Sequence, residues 1–185
     1  MIGWLVVVMS GIFLAGCASE AHKSAAEYAQ QTQLESSSEN PTRIWSGPEL
    51  EVSHFRMRFY GYDTVSYRLI AVKPDQANSP PLYRLFIEAN YGGTARHYNQ
   101  AKFGNGVIYP TNHLNHEFLR CQFFGDMADA CLFRDRADIE LSLAELEAGS
   151  HTGLTVTLGS RDLDYETISI PAEYVEGFLL TISKN

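Results

Sequence analysis

From about Ile44 onward the side chains alternate with a period of two, and that period decides the fold class. Phe55, Met57 and Phe59 alternate with Arg56, Arg58 and Tyr60. Tyr83, Leu85, Ile87 and Ala89 alternate with Arg84, Phe86 and Glu88. Ile139, Leu141 and Leu143 alternate with Glu140 and Ser142, and Leu154, Val156 and Leu158 with Thr155 and Thr157. Successive side chains of a strand point to opposite faces, so the pattern predicts half-buried strands. Gly61, Pro80-Pro81, Gly92-Gly93 and Gly149 punctuate the runs. Asn105-Gly106, between HYNQAKF and VIYP, is the pair favoured at a tight type I′ hairpin turn. Roughly eight or nine short strands in about 140 residues predict an all-β fold, an antiparallel β-sandwich of immunoglobulin-like or transthyretin-like character.

Two short helices fit near the end. SLAELEAG, residues 142–149, has Ser142 as an N-cap and Gly149 as a stop; IPAEYVEGF has Pro171 at a helix start and Gly177 at its end. A strand from Phe178 to Ile182 would then close the chain. There are no internal repeats.

The other strong feature lies at the beginning. Met1 to Gly16 contains no charged side chain, and Ile2 to Leu14 is nearly all large and apolar. A membrane-spanning helix needs about 20 apolar residues, more than this run supplies before Ser19-Glu20. The length fits the core of a signal peptide ending in small residues. Leu14-Ala15-Gly16-Cys17 resembles the lipobox of bacterial lipoproteins, in which a signal peptidase cuts just before the cysteine. The resemblance implies diacylglycerol on the Cys17 thiol and an acyl chain on its freed amine. Two or more chains hold a protein stably on a bilayer, where one is marginal. In that family an Asp after the cysteine often signals inner-membrane retention, so Ala18 implies the periplasmic face of the outer membrane.

Residues 1–16 are thus expected to be a lipoprotein signal peptide, 17–42 a lipidated cysteine with a flexible tether, and 43–185 the β-domain. The segment ASEAHKSAAEYAQQTQLESSSENPT holds almost nothing bulky except Tyr28 and Leu34, too little to offset chain entropy. It reads as a spacer reaching about 25 to 30 Å, with transient helix near Ala25 to Gln33.

With Cys17 lipidated, Cys121 and Cys131 remain as an even pair in an oxidising compartment, where a structural disulfide is the default. Their stretch, FLRCQFFGDMADACLF, is two apolar-rich runs around a Gly-Asp turn. An antiparallel hairpin there sets 121 opposite 131, and the closed loop stabilises by about 3 kcal/mol in the chain-entropy account.

The net charge of -8 disfavours nucleic acid, whose field repels an acidic chain. Residues 43–102 carry a balance of +3 and residues 103–185 a balance of -8. Arginines interleaved with aromatic rings in the basic half make Arg56, Arg58, Arg84, Tyr60 and Tyr98 candidates for a surface binding sugars or anionic polymer. The plainer account puts the rings in the core and pairs Arg with Glu across strands.

Of the six histidines, His97, His113 and His116 fall in one Gly- and Asn-rich region. His113-Leu-Asn-His116-Glu117 invites a metal reading, but Asn112, Asn115 and Pro110 argue for a solvated loop, and the order matches neither HExxH nor HxxEH. The carboxylate pairs Asp135/Asp138 and Asp162/Asp164 are expected at turns or strand ends, bonding local backbone. GxSxG, SxxK and Cys-His patterns are missing, so no enzyme and no cofactor are expected. The sequence supports a lipid-anchored envelope lipoprotein that binds or helps assemble another protein, or a glycan. Its alternative is an envelope hydrolase or metal-dependent enzyme using residues 91–117.

Overall fold

The computed structural model describes residues 23–37, 40–55, 62–74, 79–124, 127–160 and 163–184. Antiparallel strands dominate, as the period-two pattern predicts. One seven-stranded sheet runs β1 (Gln33–Ser37), β2 (Asn40–Ser46), β4 (Tyr62–Lys73), β5 (Leu82–Gly92), β9 (Met127–Leu141), β8 (Asn112–Phe124), with β3 (Leu50–Phe55) also paired to β4. A second sheet runs β11 (Asp164–Ile170), β10 (Leu154–Gly159), β6 (Gln100–Phe103), β7 (Ile108–Pro110). Both sheets feed one apolar core, in which Val65, Leu69, Leu85, Ile87 and Ile139 of the first meet Val156, Leu158 and Ile168 of the second. The fold is an all-β, sandwich-like pair of sheets with three helices among the described residues.

The alternation in β5 is complete: Tyr83, Leu85, Ile87, Ala89 and Tyr91 are buried, and the residues between them are partly exposed. Side chains of this strand therefore supply one wall of the core along its whole length. Asn105-Gly106 does form the tight connection between β6 and β7, but the turn is not type I′. Gly106 is left-handed (φ 84°) while Asn105 is not, and the Gly106 amide donates to the Phe103 carbonyl at 2.8 Å. This is the three-residue hairpin loop with a left-handed glycine at its end.

Three expectations change. Residues 17–42 are not a tether throughout, because α1 (Ala25–Gln31), β1 and the start of β2 lie within that range. A reciprocal capping box starts α1: Ser24 Oγ accepts from the Glu27 amide, and Glu27 Oε2 accepts from the Ser24 amide at 2.7 Å. Tyr28 then buries its ring edge-on against Tyr174, 5.2 Å between centroids. Few bulky residues suffice, because a second helix receives them.

That second helix is α3 (Ala172–Ser183), which continues through Gly177 and replaces the expected strand at Phe178–Ile182. Gly177 is buried where α3 crosses α1, so it marks a close helix contact and not a stop. Similarly α2 (Leu143–Thr152) begins at the expected Ser142 cap but passes Gly149 and ends at Gly153, whose φ is 76°. Both glycines permit close packing inside a helix. Among the described residues no helix is long and apolar enough to cross a membrane.

Candidate functional site

The two longest strands, β8 and β9, make a hairpin that stands at the edge of the large sheet. Cys121 sits opposite Cys131 in its ladder and is joined to it by a disulfide, as expected. The Gly125-Asp126 turn lies outside the described residues. Moving away from the disulfide, β8 carries a one-residue bulge between Phe118 and Arg120 and another between His113 and Asn115. The extra residues at these bulges are Leu119 and Leu114, and both are exposed. Phe118, opposite Phe133, is 56 % exposed. Three large apolar side chains thus face solvent from one edge strand.

Where β8 and β9 meet the loop after β5, charged groups go inward. Arg96 is buried and its guanidinium bridges Asp63 and Glu166, two carboxylates that are also buried. Arg96 Nη1 also donates to the Tyr98 hydroxyl at 3.1 Å, and the guanidinium lies 4.2 Å from the centre of the Tyr91 ring. Burial alone would push the Arg96 pKa down, but Tyr98 and Asp63 outweigh it and hold the group charged, above its ordinary value. The Arg96 amide donates to the Tyr91 oxygen at 3.1 Å, and the Tyr91 hydroxyl donates to Asp135 Oδ2 at 2.6 Å. Burial, then the Asp135 hydrogen bond, raises the Tyr91 pKa, so the phenol stays protonated.

The network reaches the surface through Asp135. Its other oxygen, Oδ1, is hydrogen-bonded to His116 Nδ1, and the His116 ring stacks on Phe133 with 5.4 Å between centroids. His97, exposed and with a left-handed backbone (φ 51°), lies with its ring 5.5 Å from that of His116. A buried guanidinium, two phenols and a buried carboxylate therefore lead to two neighbouring imidazoles at the rim. This arrangement can orient an imidazole, fix which nitrogen carries its proton, and present the pair to a ligand.

The residues singled out in the sequence separate accordingly. Cys17, Arg56, Arg58 and Tyr60 lie outside the described residues. His113 and His116 are in strand β8, not on a loop, because β8 begins at Asn112 and pairs with β9 from there. Tyr98 is no surface residue: it is 2 % exposed, because its hydroxyl serves Arg96 and its ring meets Tyr91 edge-on. Arg84 is half exposed, but it donates to Asp138 at 2.7 Å across the sheet, the plainer cross-strand account. Asp135 and Asp138, expected at turns, sit within the fifteen-residue β9 and are buried. Asp138 accepts from Arg84 and, through its other oxygen, from Asn112 at 2.8 Å. Arg96, Asp63, Glu166 and Tyr91 had no signal in the sequence; 33 and 70 positions separate Arg96 from its two carboxylates.

Among the described residues no three His, Cys, Asp or Glu side chains gather as a metal cluster. Surface concavities lie elsewhere among the described residues. One of about 360 Å³ runs between α2 and α3 over Tyr83, and one of about 470 Å³ lies between α2 and the Asn105 turn. No protein-family model matches this chain, and no curated protein or solved structure is significantly similar to it.

Proposed function

We propose that the chain is a lipid-anchored lipoprotein of the bacterial envelope, held by Cys17 at the periplasmic face of the outer membrane. Its β-domain acts as a binding or assembly accessory for another envelope protein. The observation that carries the binding role is the trio Leu114, Phe118 and Leu119, exposed on an edge strand whose hairpin is clipped by Cys121–Cys131. Exposed apolar groups on one strand are the features by which sheets recruit partner chains, and the two bulges blunt backbone pairing so that side chains decide what binds.

Two measurements test this reading. Cys17→Ser should release the protein from the membrane fraction with its β-domain still folded; retention in that fraction counts against the anchor. Cross-linking in intact cells should yield a partner adduct that Phe118→Asp abolishes. An adduct pattern indifferent to that change would sink the interface.

One observation favours a second reading, hydrolytic chemistry in the 91–117 region. His97 and His116 converge beside Asp135, as a general base and its orienting carboxylate would. Turnover of ester or phosphoester substrates, lost in His116→Gln, would support it.

A further inference from the structure

We propose that His97 and His116 form a two-imidazole site for a divalent transition-metal ion, with Asp135 as the positioning residue behind His116. The proposal rests on the ring geometry and assumes neither functional reading, although it uses the imidazoles on which the second one rests. A tetrahedral ion lies about 2.1 Å from each imidazole nitrogen, and each ring centre about 1.2 Å beyond, which puts the two centres about 5.4 Å apart. The His97 and His116 centroids are 5.5 Å apart. The two rings stand at the separation that sharing one ion requires.

Asp135 supplies what a ligating histidine needs on its far side. Its carboxylate takes His116 Nδ1, and an imidazole whose Nδ1 proton is so engaged coordinates through Nε2. Asp135 is itself fixed by burial and by the Tyr91 hydroxyl, so the His116 ring is held from behind. His97 is pinned by different means. Its neighbours Arg96 and Tyr98 are both buried, and the backbone between them adopts the left-handed conformation that few non-glycine residues take. Such conformations are held by surrounding structure and occur at ligand clamps. Two protein ligands leave the remaining tetrahedral positions to solvent.

The test uses the full chain purified in detergent and stripped with chelator, titrated with Zn(II) alone by calorimetry and with Co(II) by visible absorption. One ion per chain is expected at the site, with Co(II) giving a ligand-field spectrum. His97→Asn, which keeps a residue tolerant of the left-handed backbone, should weaken binding at least tenfold, and His116→Gln likewise. His151→Ala, a change at an exposed histidine of α2, should leave it within about twofold. Failure to bind either ion overturns the proposal, as does binding that His97→Asn leaves unchanged. Should His116→Gln not fold, His97→Asn decides alone, because the His97 ring is exposed.

Discussion

Gly177 in α3 lies so close to the backbone of Ala25 in α1 that a methyl group there would also meet the Tyr28 Cβ at 2.7 Å. The two helices are therefore locked at a point where only hydrogen fits. Thr181 ties them again one turn later, its Oγ1 donating to the Ala29 carbonyl at 3.1 Å. Gly177→Ala should destabilise the domain by about 1 to 3 kcal/mol, the usual cost of forcing atoms into packed space. Urea unfolding of the variant checks this, and a change under 0.5 kcal/mol, the range of ordinary surface substitutions, would mean that α1 is not docked.

Arg96 pairs with both Asp63 and Glu166 in the interior, so its removal leaves buried carboxylates without that partner. Arg96→Leu should cost about 3 to 5 kcal/mol, the range for breaking a buried ion pair from one side. Replacing Arg84, which is half exposed, should cost less, about 1 to 2 kcal/mol, because its Asp138 partner is buried but keeps the hydrogen bond from Asn112. Denaturation midpoints of the two variants, measured together, test whether burial sets the difference; equal costs would contradict it.

How much of this could be read from the sequence differs by element, for physical reasons. β5 was legible because its burial alternates without a break, and the Cys121–Cys131 pairing because the two runs are local and share a turn. Residues 25–31 misled because composition argues against a core, although Ser24-Ala-Ala-Glu27 is a capping-box pattern that announces a helix start. A glycine reads as a helix stop in isolation; only the opposing helix makes Gly177 a contact. The Arg96 network is illegible because its members meet from β4, β11 and the loop after β5, with no spacing rule connecting them. His116 and Asp135 come together for a similar reason, since the bulge at Leu119 shifts the hairpin register before they meet.

The Cys121–Cys131 disulfide closes a short loop in the unfolded chain. Its reduction, or Cys121→Ala with Cys131→Ala, should lower stability by about 3 kcal/mol on the chain-entropy account. Unfolding with and without reductant measures this. The same treatment should loosen the outer end of β8 while leaving Trp45 and Tyr174, buried in the core, in their folded environment. A stability unaffected by reduction would show that the ladder alone holds the hairpin.

Glu145 links the α2 capping box to β7, taking hydrogen bonds from the Ser142 amide at 2.7 Å and from the Tyr109 hydroxyl. Partial burial raises its pKa, but the bonds from Tyr109 and Ser142 outweigh that and hold it below 4.5. A carboxylate with a lowered folded-state pKa stabilises fully above its unfolded value and loses that contribution as pH falls through the folded one. The Glu145 share should therefore be constant from neutrality down to about pH 4.5 and decline below it. Tyr109→Phe removes one of the lowering bonds, so the Glu145 titration should move upward, and its pH-dependent share should shrink as the folded value rises toward the unfolded one. Carbon-detected NMR titration of the Glu145 carboxyl in both proteins checks the shift. A Glu145 titration that Tyr109→Phe leaves in place would show that the β7–α2 contact does not govern this group.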